Sequence, residues 1–441
     1  MRMLAAFVAL AAAMTTSEAH AEGPMRLTER RVAEVALAQH PDVRAAWATA
    51  QAADSEARAT GRARLPELVL SGRYQRLSSL PERYRAITFP DGSNYVFPQI
   101  LDGYGARAAL VAPLSDPWLR MAAAARAAGK TALAREADAR GAEVRIALDA
   151  RTAYLAWRRA LLGRDLSVDA QRVAHAEVEE HERRVAAGTS PRTAGLGLVL
   201  AEKEAGLRLR AAEADVEVAA TELAVFLGVS ESEFDSAEDL EGEIRSTDGG
   251  GQVPALAAAI AEAEAADDRV DSEALAFLPR LSLSGVADVS VPSPRVFAVT
   301  TKDPVVTWEA LATIEWSTSA LTTGTANLAR ARDERAAAQA RVEAVKREIT
   351  AARRSAEISL RAARDRVALA RERLASARAL AEARRAELRA GVAQPLDVVI
   401  AESELVRAGL SHADALVDTR LSRAKLDAAL GRARPDRGGS R

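Results

Sequence analysis

The stretch Trp308-Glu-Ala-Leu-Ala-Thr-Ile-Glu-Trp316 decides the fold of this chain. Its apolar and polar residues alternate, which predicts a β-strand with one apolar face and one polar face. Eight steps of about 3.3 Å separate the two tryptophans by roughly 26 Å along the strand. An apolar band about 25 Å tall, bordered by aromatic residues and backed by a polar face, is typical of a transmembrane β-barrel. For any single strand, a half-buried hairpin of a soluble protein is the alternative.

Three further stretches alternate in the same way, and together the four predict two hairpins, over residues 68–113 and 281–318. Charged side chains fall on one face of each strand, and aromatic side chains fall on the other. The predicted lipid-facing aromatic girdle consists of Tyr74, Tyr104, Trp308 and Trp316. The predicted lumen-facing residues are Arg73, Arg107, Asp288, Glu309 and Glu315.

Two long runs without proline, residues 118–187 and 325–390, are rich in Ala, Arg, Glu and Leu with helical spacing of the apolar positions. At 1.5 Å per residue each predicts a helix of roughly 100 Å, a length typical of a coiled coil or helical repeat. A Gly- and Pro-containing turn ends each run. Return helices are predicted over residues 193–228 and 394–431.

The chain is an internal duplication. Leu65-Pro-Glu-Leu-Val-Leu-Ser-Gly72 recurs 213 residues later as Leu278-Pro-Arg-Leu-Ser-Leu-Ser-Gly285, with six of eight positions identical. The first repeat is predicted over residues 22–228 and the second over residues 253–431, each with the order helix, hairpin, long helix and return helix. An acidic, Gly-rich linker or equatorial region, residues 229–252, joins them, and residues 432–441 form a flexible tail.

The first 21 residues predict a secretory signal peptide. Arg2 precedes a 12-residue apolar core, residues 3–14, and Ala19-His20-Ala21 supplies a small-x-small cleavage site. The chain has no cysteine, which excludes disulfides, thiol nucleophiles and cysteine-based metal sites. Its 60 basic and 62 acidic residues give no electrostatic indication of a nucleic-acid partner.

Four strands cannot close a barrel, and an open sheet edge is not stable in lipid. Several chains must therefore share one barrel. Two chains would supply eight strands, whose interior is filled by side chains, whereas three would supply twelve and leave more room for a lumen.

The residues resemble the TolC-type outer-membrane efflux factor family over about residues 26–431. The duplicated Leu-Pro-x-Leu-x-Leu-Ser-Gly stretches, Leu37-Ala-Gln-His-Pro41 and the tip Ala390-Gly-Val-Ala-Gln-Pro-Leu-Asp-Val398 carry the resemblance. It implies a mainly α-helical fold, in which the hairpins form a periplasmic helical barrel and three chains form a 12-stranded transmembrane β-barrel. It also implies a homotrimer in outer-membrane lipid that joins a periplasmic adaptor protein and an inner-membrane transporter. Such a trimer would be the passive exit duct of a tripartite efflux or type I secretion system, spanning the outer membrane and the periplasm.

The resemblance further implies roles for residues at the helix tips. Gly188, Thr189, Pro191, Gly391 and Pro395 would face the adaptor, although glycine and proline are also ordinary helix-turn residues. Asp397, six residues after Gly391, matches an aspartate that rings the closed pore in the family. An acidic residue in the first turn of a helix is also favoured by the helix dipole. Ile400 and Ala194 stand where further acidic residues could have been expected, so the resemblance supports a single acidic ring.

No catalytic motif, metal site or cofactor site is expected. His175 and His181 are six residues apart and therefore on different helix faces, and no Gly-rich phosphate loop follows a strand. Two other functions are weighed against the exit duct: a periplasmic adaptor, and a structural coiled coil without a channel. The cargo stays open, because drugs, metal ions and polypeptides all leave through ducts of this kind, and so does the partner transporter. The ion preference stays open because the lumen-facing candidates carry charges of both signs.

Overall fold

The computed structural model describes residues 25–96, 99–229, 234–236, 239–242, 252–293 and 303–432. The predicted signal peptide and the predicted tail beyond Arg432 lie outside the described residues. The described helices are α1 (Glu29–Gln39), α2 (Pro41–Arg62), α3 (Arg120–Ala186), α4 (Leu196–Leu227), α5 (Pro254–Leu275), α6 (Thr323–Arg389) and α7 (Pro395–Ala429). The described strands are β1 (Met25–Leu27), β2 (Glu67–Arg76), β3 (Ala86–Thr88), β4 (Asn94–Val96), β5 (Asp102–Pro113), β6 (Phe234–Ser236), β7 (Arg280–Val291) and β8 (Val305–Glu315).

The long helices α3 and α6 each contain 67 residues, close to the lengths that the proline-free runs predict. The first begins two residues later than predicted because a turn follows Asp116-Pro117, in which Trp118 N–H donates to the Ser115 carbonyl. The return helix of the first repeat is preceded by a 3-10 turn, Arg192–Gly195, so its α-helical part begins at Leu196.

The chain forms two compact units that do not coincide with the two repeats. One unit is drawn from Met1–Ala45, Arg140–Val253 and Glu348–Arg441, and the other from Ala46–Ala139 and Pro254–Arg347. The division falls within α3 and within α6. Each unit therefore takes equivalent parts from both repeats.

The second unit contains an antiparallel sheet of four strands in the order β2-β5-β7-β8. The two predicted hairpins thus lie side by side and join through their inner strands, with Arg107 opposite Asp288. Ion pairs hold α5 against α3 in the same unit, among them Arg126 to Asp268 at 2.7 Å and Lys130 to Glu264.

The first unit has its core where α3 passes the chain start. Tyr154 and Leu155 of α3, Leu27 of β1 and Leu223 of α4 are almost completely buried. The Tyr154 hydroxyl donates to the Leu27 carbonyl at 3.4 Å. Most of the other buried apolar residues on the helices are alanines, whose small side chains allow the helices to approach closely.

Residues 229–252, predicted as a linker or equatorial region, are packed against the helices where the structure describes them. Within it β6 pairs in parallel with β1, and Leu240 is only 6% exposed. Arg420 of α7 holds the segment: its Nη2 donates to the carbonyls of Asp239, Leu240 and Gly242 at 3.1, 3.2 and 2.9 Å. The described part of the segment is therefore packed against the helices.

The segment between β2 and β5 also contains regular structure. A short hairpin, β3 and β4, lies within it, with Ile87 opposite Tyr95. Strands of three residues are too short for alternation to reveal them.

Replacing Arg420 by alanine should lower the free energy of unfolding by about 3 kcal/mol, because three carbonyls lose a charged donor in a buried setting. Arg407→Ala on the same helix is the matched control, since Arg407 forms an exposed ion pair with Glu404 that should contribute about 0–1 kcal/mol. Thermal unfolding of both variants measures the difference. Equal midpoints would show that Arg420 does not anchor the segment.

Candidate functional site: sheet faces and helix tips

One face of the four-stranded sheet is apolar and open. The register places Tyr74 opposite Tyr104, with ring centroids 5.2 Å apart, and places Trp308 opposite Ala287. Trp308 is 76% exposed and Leu70 is 73% exposed. Such a continuous apolar band is unusual for a surface in contact with water, and it is the face on which the aromatic girdle was predicted.

The opposite face carries most of the charged residues of the sheet, the exceptions being Arg76 and Asp102, which lie on the Tyr74 face at the end of the β2–β5 pair. Arg107 lies opposite Ser71 on one side and Asp288 on the other, and Val286 lies opposite Glu309. The register therefore brings the predicted lumen-facing residues to a common face. These residues are Arg73, Arg107, Asp288, Glu309 and Glu315.

The end of the sheet next to the helices carries two tryptophans, one of which the sequence analysis missed as a candidate. Trp316 lies one residue beyond β8, which corrects its predicted place within the strand, and its indole N–H donates to the Phe277 carbonyl at 3.2 Å. Trp118 lies five residues after Pro113, the last residue of β5, and is 84% exposed. An aromatic residue just past a strand end, as at Trp316, is the signal that could have identified Trp118.

The tip between α6 and α7 is stabilised by its own local sequence. Gly391 adopts a φ of +74°, and Val392 N–H donates to the Glu387 carbonyl at 2.9 Å, which ends α6. Gln394 and Asp397 form a capping box at the start of α7, with Gln394 N–H donating to the Asp397 carboxylate at 3.0 Å. The carboxylate of Asp397 thus has a structural role in capping, whichever further role it has.

The tip between α3 and α4 is stabilised differently. Gly188 has a φ of +72°, and both the backbone N–H and the hydroxyl of Thr189 donate to the Arg184 carbonyl, at 2.9 and 3.0 Å. No side chain caps the start of α4. Instead, the buried ring of His181 packs against Gly195 so closely that a Cβ at this glycine would overlap with the ring.

Replacing Gly195 by alanine should destabilise this tip, because the added methyl group forces the His181 ring out of its buried place. Overpacking of this kind costs about 1–3 kcal/mol. Gly197→Ala is the matched control, since a Cβ there meets only the Leu396 side chain, at an ordinary 4.0 Å. Limited proteolysis at residues 186–196 measures the effect. If both variants resist cleavage like the unmodified protein, the His181 contact does not support the tip.

An ion pair joins α3 to α4 near the same tip. His175 Nδ1 lies 2.6 Å from the Glu202 carboxylate. The hydrogen bond with Glu202, and then the charge of Glu179, raise the pKa of His175, while the same hydrogen bond lowers the pKa of Glu202. Because the pKa of His175 is raised in the folded protein, protonated His175 stabilises the fold at low pH, and this stabilisation is lost as the pH rises through that pKa. Because the pKa of Glu202 is lowered, the ionised carboxylate also stabilises the fold, and this stabilisation is lost as the pH falls through the Glu202 pKa. The His175–Glu202 ion pair is therefore strongest at pH values between the two pKa values.

Within the described residues, no group of His, Asp or Glu side chains is arranged to hold a metal ion. None of the helices that the structure describes is both long enough and apolar enough to cross a membrane.

An amphipathic four-stranded sheet combined with duplicated 67-residue helices defines the class of outer-membrane ducts with a helical extension. The family model for outer membrane efflux proteins matches residues 32–229 and 251–432, and the chain belongs to this family. The membership confirms the predicted fold class, the localisation in the outer membrane with a periplasmic extension, and the role as an exit duct in efflux. It decides against the adaptor and coiled-coil alternatives.

Solved structures show the same fold. CusC, described for conformational changes that accompany folding and transmembrane channel formation, aligns with a TM-score of 0.76 at 17% identity over 94% of this chain and 95% of its own. The CmeC outer membrane channel of Campylobacter jejuni aligns with a TM-score of 0.76 at 15% identity over 95% and 91%. VceC of Vibrio cholerae aligns with a TM-score of 0.72 at 19% identity over 91% and 95%. No curated protein sequence matches the chain.

Proposed function

We propose that the chain works as a passive homotrimeric duct, in which three copies share one 12-stranded barrel. The unpaired outer edges of β2 and β8 carry this proposal, because within the described sheet each of these strands pairs on one side only. Open edges are not stable in lipid. Three copies of four strands leave room for a lumen, whereas eight strands fill their interior with side chains.

The pairing between copies has a counterpart inside the chain. By the duplication, β7 is the equivalent of β2, and β8 is the equivalent of β5. The antiparallel pairing of β5 with β7 is thus the repeat-level equivalent of pairing β8 with β2 of the next copy. The proposed pairing of β8 with β2 of the next copy therefore has the same antiparallel geometry as the β5–β7 pair within the chain.

The helices of the first unit present apolar side chains for the same assembly. On α6, three exposed residues recur at intervals of eleven, a spacing that keeps them in line along the helix. On α4, exposed leucines and valines recur along one side of the helix from its first residue to near its end. These residues are Ile358, Leu369 and Leu380 on α6, and Leu196, Leu200, Leu207, Val218 and Val225 on α4. Helices of neighbouring copies would cover both stripes.

In the proposed assembly, the helix tips contact a periplasmic adaptor that leads to an inner-membrane transporter, which supplies the energy. The tips carry exposed apolar side chains beside the turn residues Gly188, Thr189, Pro191, Gly391 and Pro395. Val392 is 79% exposed, and Leu396 and Ile400 of α7 are exposed as well. Exposed apolar patches of this kind typically mark protein contacts.

The particle extracted by mild detergent should have a protein mass about three times that of one mature chain. Leu369→Glu should shift this particle towards single chains, because it places a charge in the middle of the α6 stripe. Ala375→Glu is the matched control, as Ala375 is exposed and lies roughly 120° away around the helix. Light scattering after size-exclusion chromatography measures the masses. A monomer or dimer of the unmodified protein would refute the shared barrel.

Asp397 is proposed to line the periplasmic constriction. Asp397→Ala and Asp397→Asn should both raise single-channel conductance in a planar bilayer, because both remove the charge. Only the alanine variant should also lower the unfolding temperature, since an asparagine oxygen can still accept the hydrogen bond from Gln394 N–H. Unchanged conductance and unchanged block by cations in Asp397→Asn would remove Asp397 from the gate and leave capping as its role.

A further inference from the structure

A groove lies between α3, α4 and α7 of the first unit, near the first turns of α4 and α7. The groove is open to solvent on one side. Leu198 and Val398 form its floor and are 4% and 0% exposed. Its other apolar lining residues are Ala170, Val173, Ala174, Ala201, Ala205, Val399 and Val406.

Three carboxylates and one guanidinium also line the groove. Two of the carboxylates have cationic partners: Glu402 lies 2.6 Å from Arg385, and Glu204 bonds to Arg208. The third, Glu177 of α3, has no hydrogen-bond or ion-pair partner among the side chains that the structure describes. The groove therefore has an excess of negative charge, located at Glu177.

The surroundings of Glu177 do not compensate for this charge. Its partial burial raises the pKa of the carboxyl group, and the nearby carboxylates of Glu402 and Glu180 raise it further. The guanidinium groups of Arg385 and Arg184 act in the opposite direction without cancelling the rise. A half-buried carboxylate beside an apolar surface is costly unless a cation or a donor pairs with it.

We propose that this groove is a binding site for a small organic cation, an amine on an apolar body, whose ammonium group pairs with Glu177. The ammonium would form a charge-assisted hydrogen bond to the carboxylate, while the apolar body packs against the partly exposed lining residues Val173, Val399 and Val406. An anion of the same shape is repelled by the groove. The site belongs to one chain and does not depend on the proposed trimer or on the barrel.

Two probes of matched shape test the proposal: 4-phenylbutylamine, which carries a positive charge at pH 7, and 4-phenylbutyrate, which carries a negative charge. Saturation-transfer NMR with the full chain in detergent should show binding of the amine and none of the carboxylate. Glu177→Gln should weaken binding of the amine about tenfold or more, because the glutamine oxygen can still accept a hydrogen bond but lacks the negative charge that strengthens it. Glu182→Gln, an exposed position on the same helix, should leave binding unchanged.

A second variant, Ala201→Leu, fills the groove without changing its charge and should also abolish binding of the amine. Equal binding of the two probes would show an apolar surface without the proposed selectivity and would overturn the proposal. Unchanged affinity in Glu177→Gln, or in Ala201→Leu, would overturn it as well. So would an absence of amine binding to the unmodified protein, for example because another part of the assembly covers the groove.

Discussion

In lipid, every backbone N–H and C=O group must be paired within the protein, and this requirement governs how the chain can work. The long helices meet it by themselves, because each of their interior peptide groups bonds within the helix. The four-stranded sheet meets it only for β5 and β7, since β2 and β8 each have one free edge. It is therefore the sheet that makes an assembly necessary. The apolar stripes on α4 and α6 are a second, independent indication that the chain is incomplete alone.

The duplication explains how one repeated hairpin pattern can build a closed barrel. Each repeat supplies one hairpin, and the register joins the hairpins through β5 and β7, so that Arg107 of the first repeat meets Asp288 of the second. Opposite charges directly across a strand pair contribute roughly 0.2–1 kcal/mol. More importantly, a one-residue slip would turn every apolar side chain to the polar face. The alternation thus fixes the register with little help from individual pairs.

The sequence was most informative where structure depends on local spacing. Alternation predicted the four long strands and their faces, and the absence of proline predicted α3 and α6 to within two residues at each end. The pairing of β1 with β6 could not be predicted, because its two three-residue strands are separated by about 200 residues and carry no periodic signal. The anchoring role of Arg420 was also not predictable. It depends on three carbonyls from a distant segment, and an arginine among many on a helix looks like a solvated charge.

The two helix tips show the same contrast between local and tertiary encoding. At the second tip, the sequence Gly391-Val-Ala-Gln-Pro-Leu-Asp397 contains its own αL glycine, N1 proline and capping box, so the turn is specified within seven residues. The first tip has an αL glycine but no side-chain cap for α4, and it depends on His181, fourteen residues before Gly195, packing onto that glycine. A local cap survives when neighbouring helices shift, whereas a packing contact between α3 and the 3-10 turn changes with any movement of α3. In a trimer the two kinds of tip would alternate around the axis. Any movement of the helices that widens the periplasmic end would then disturb the first tips before it affected the second.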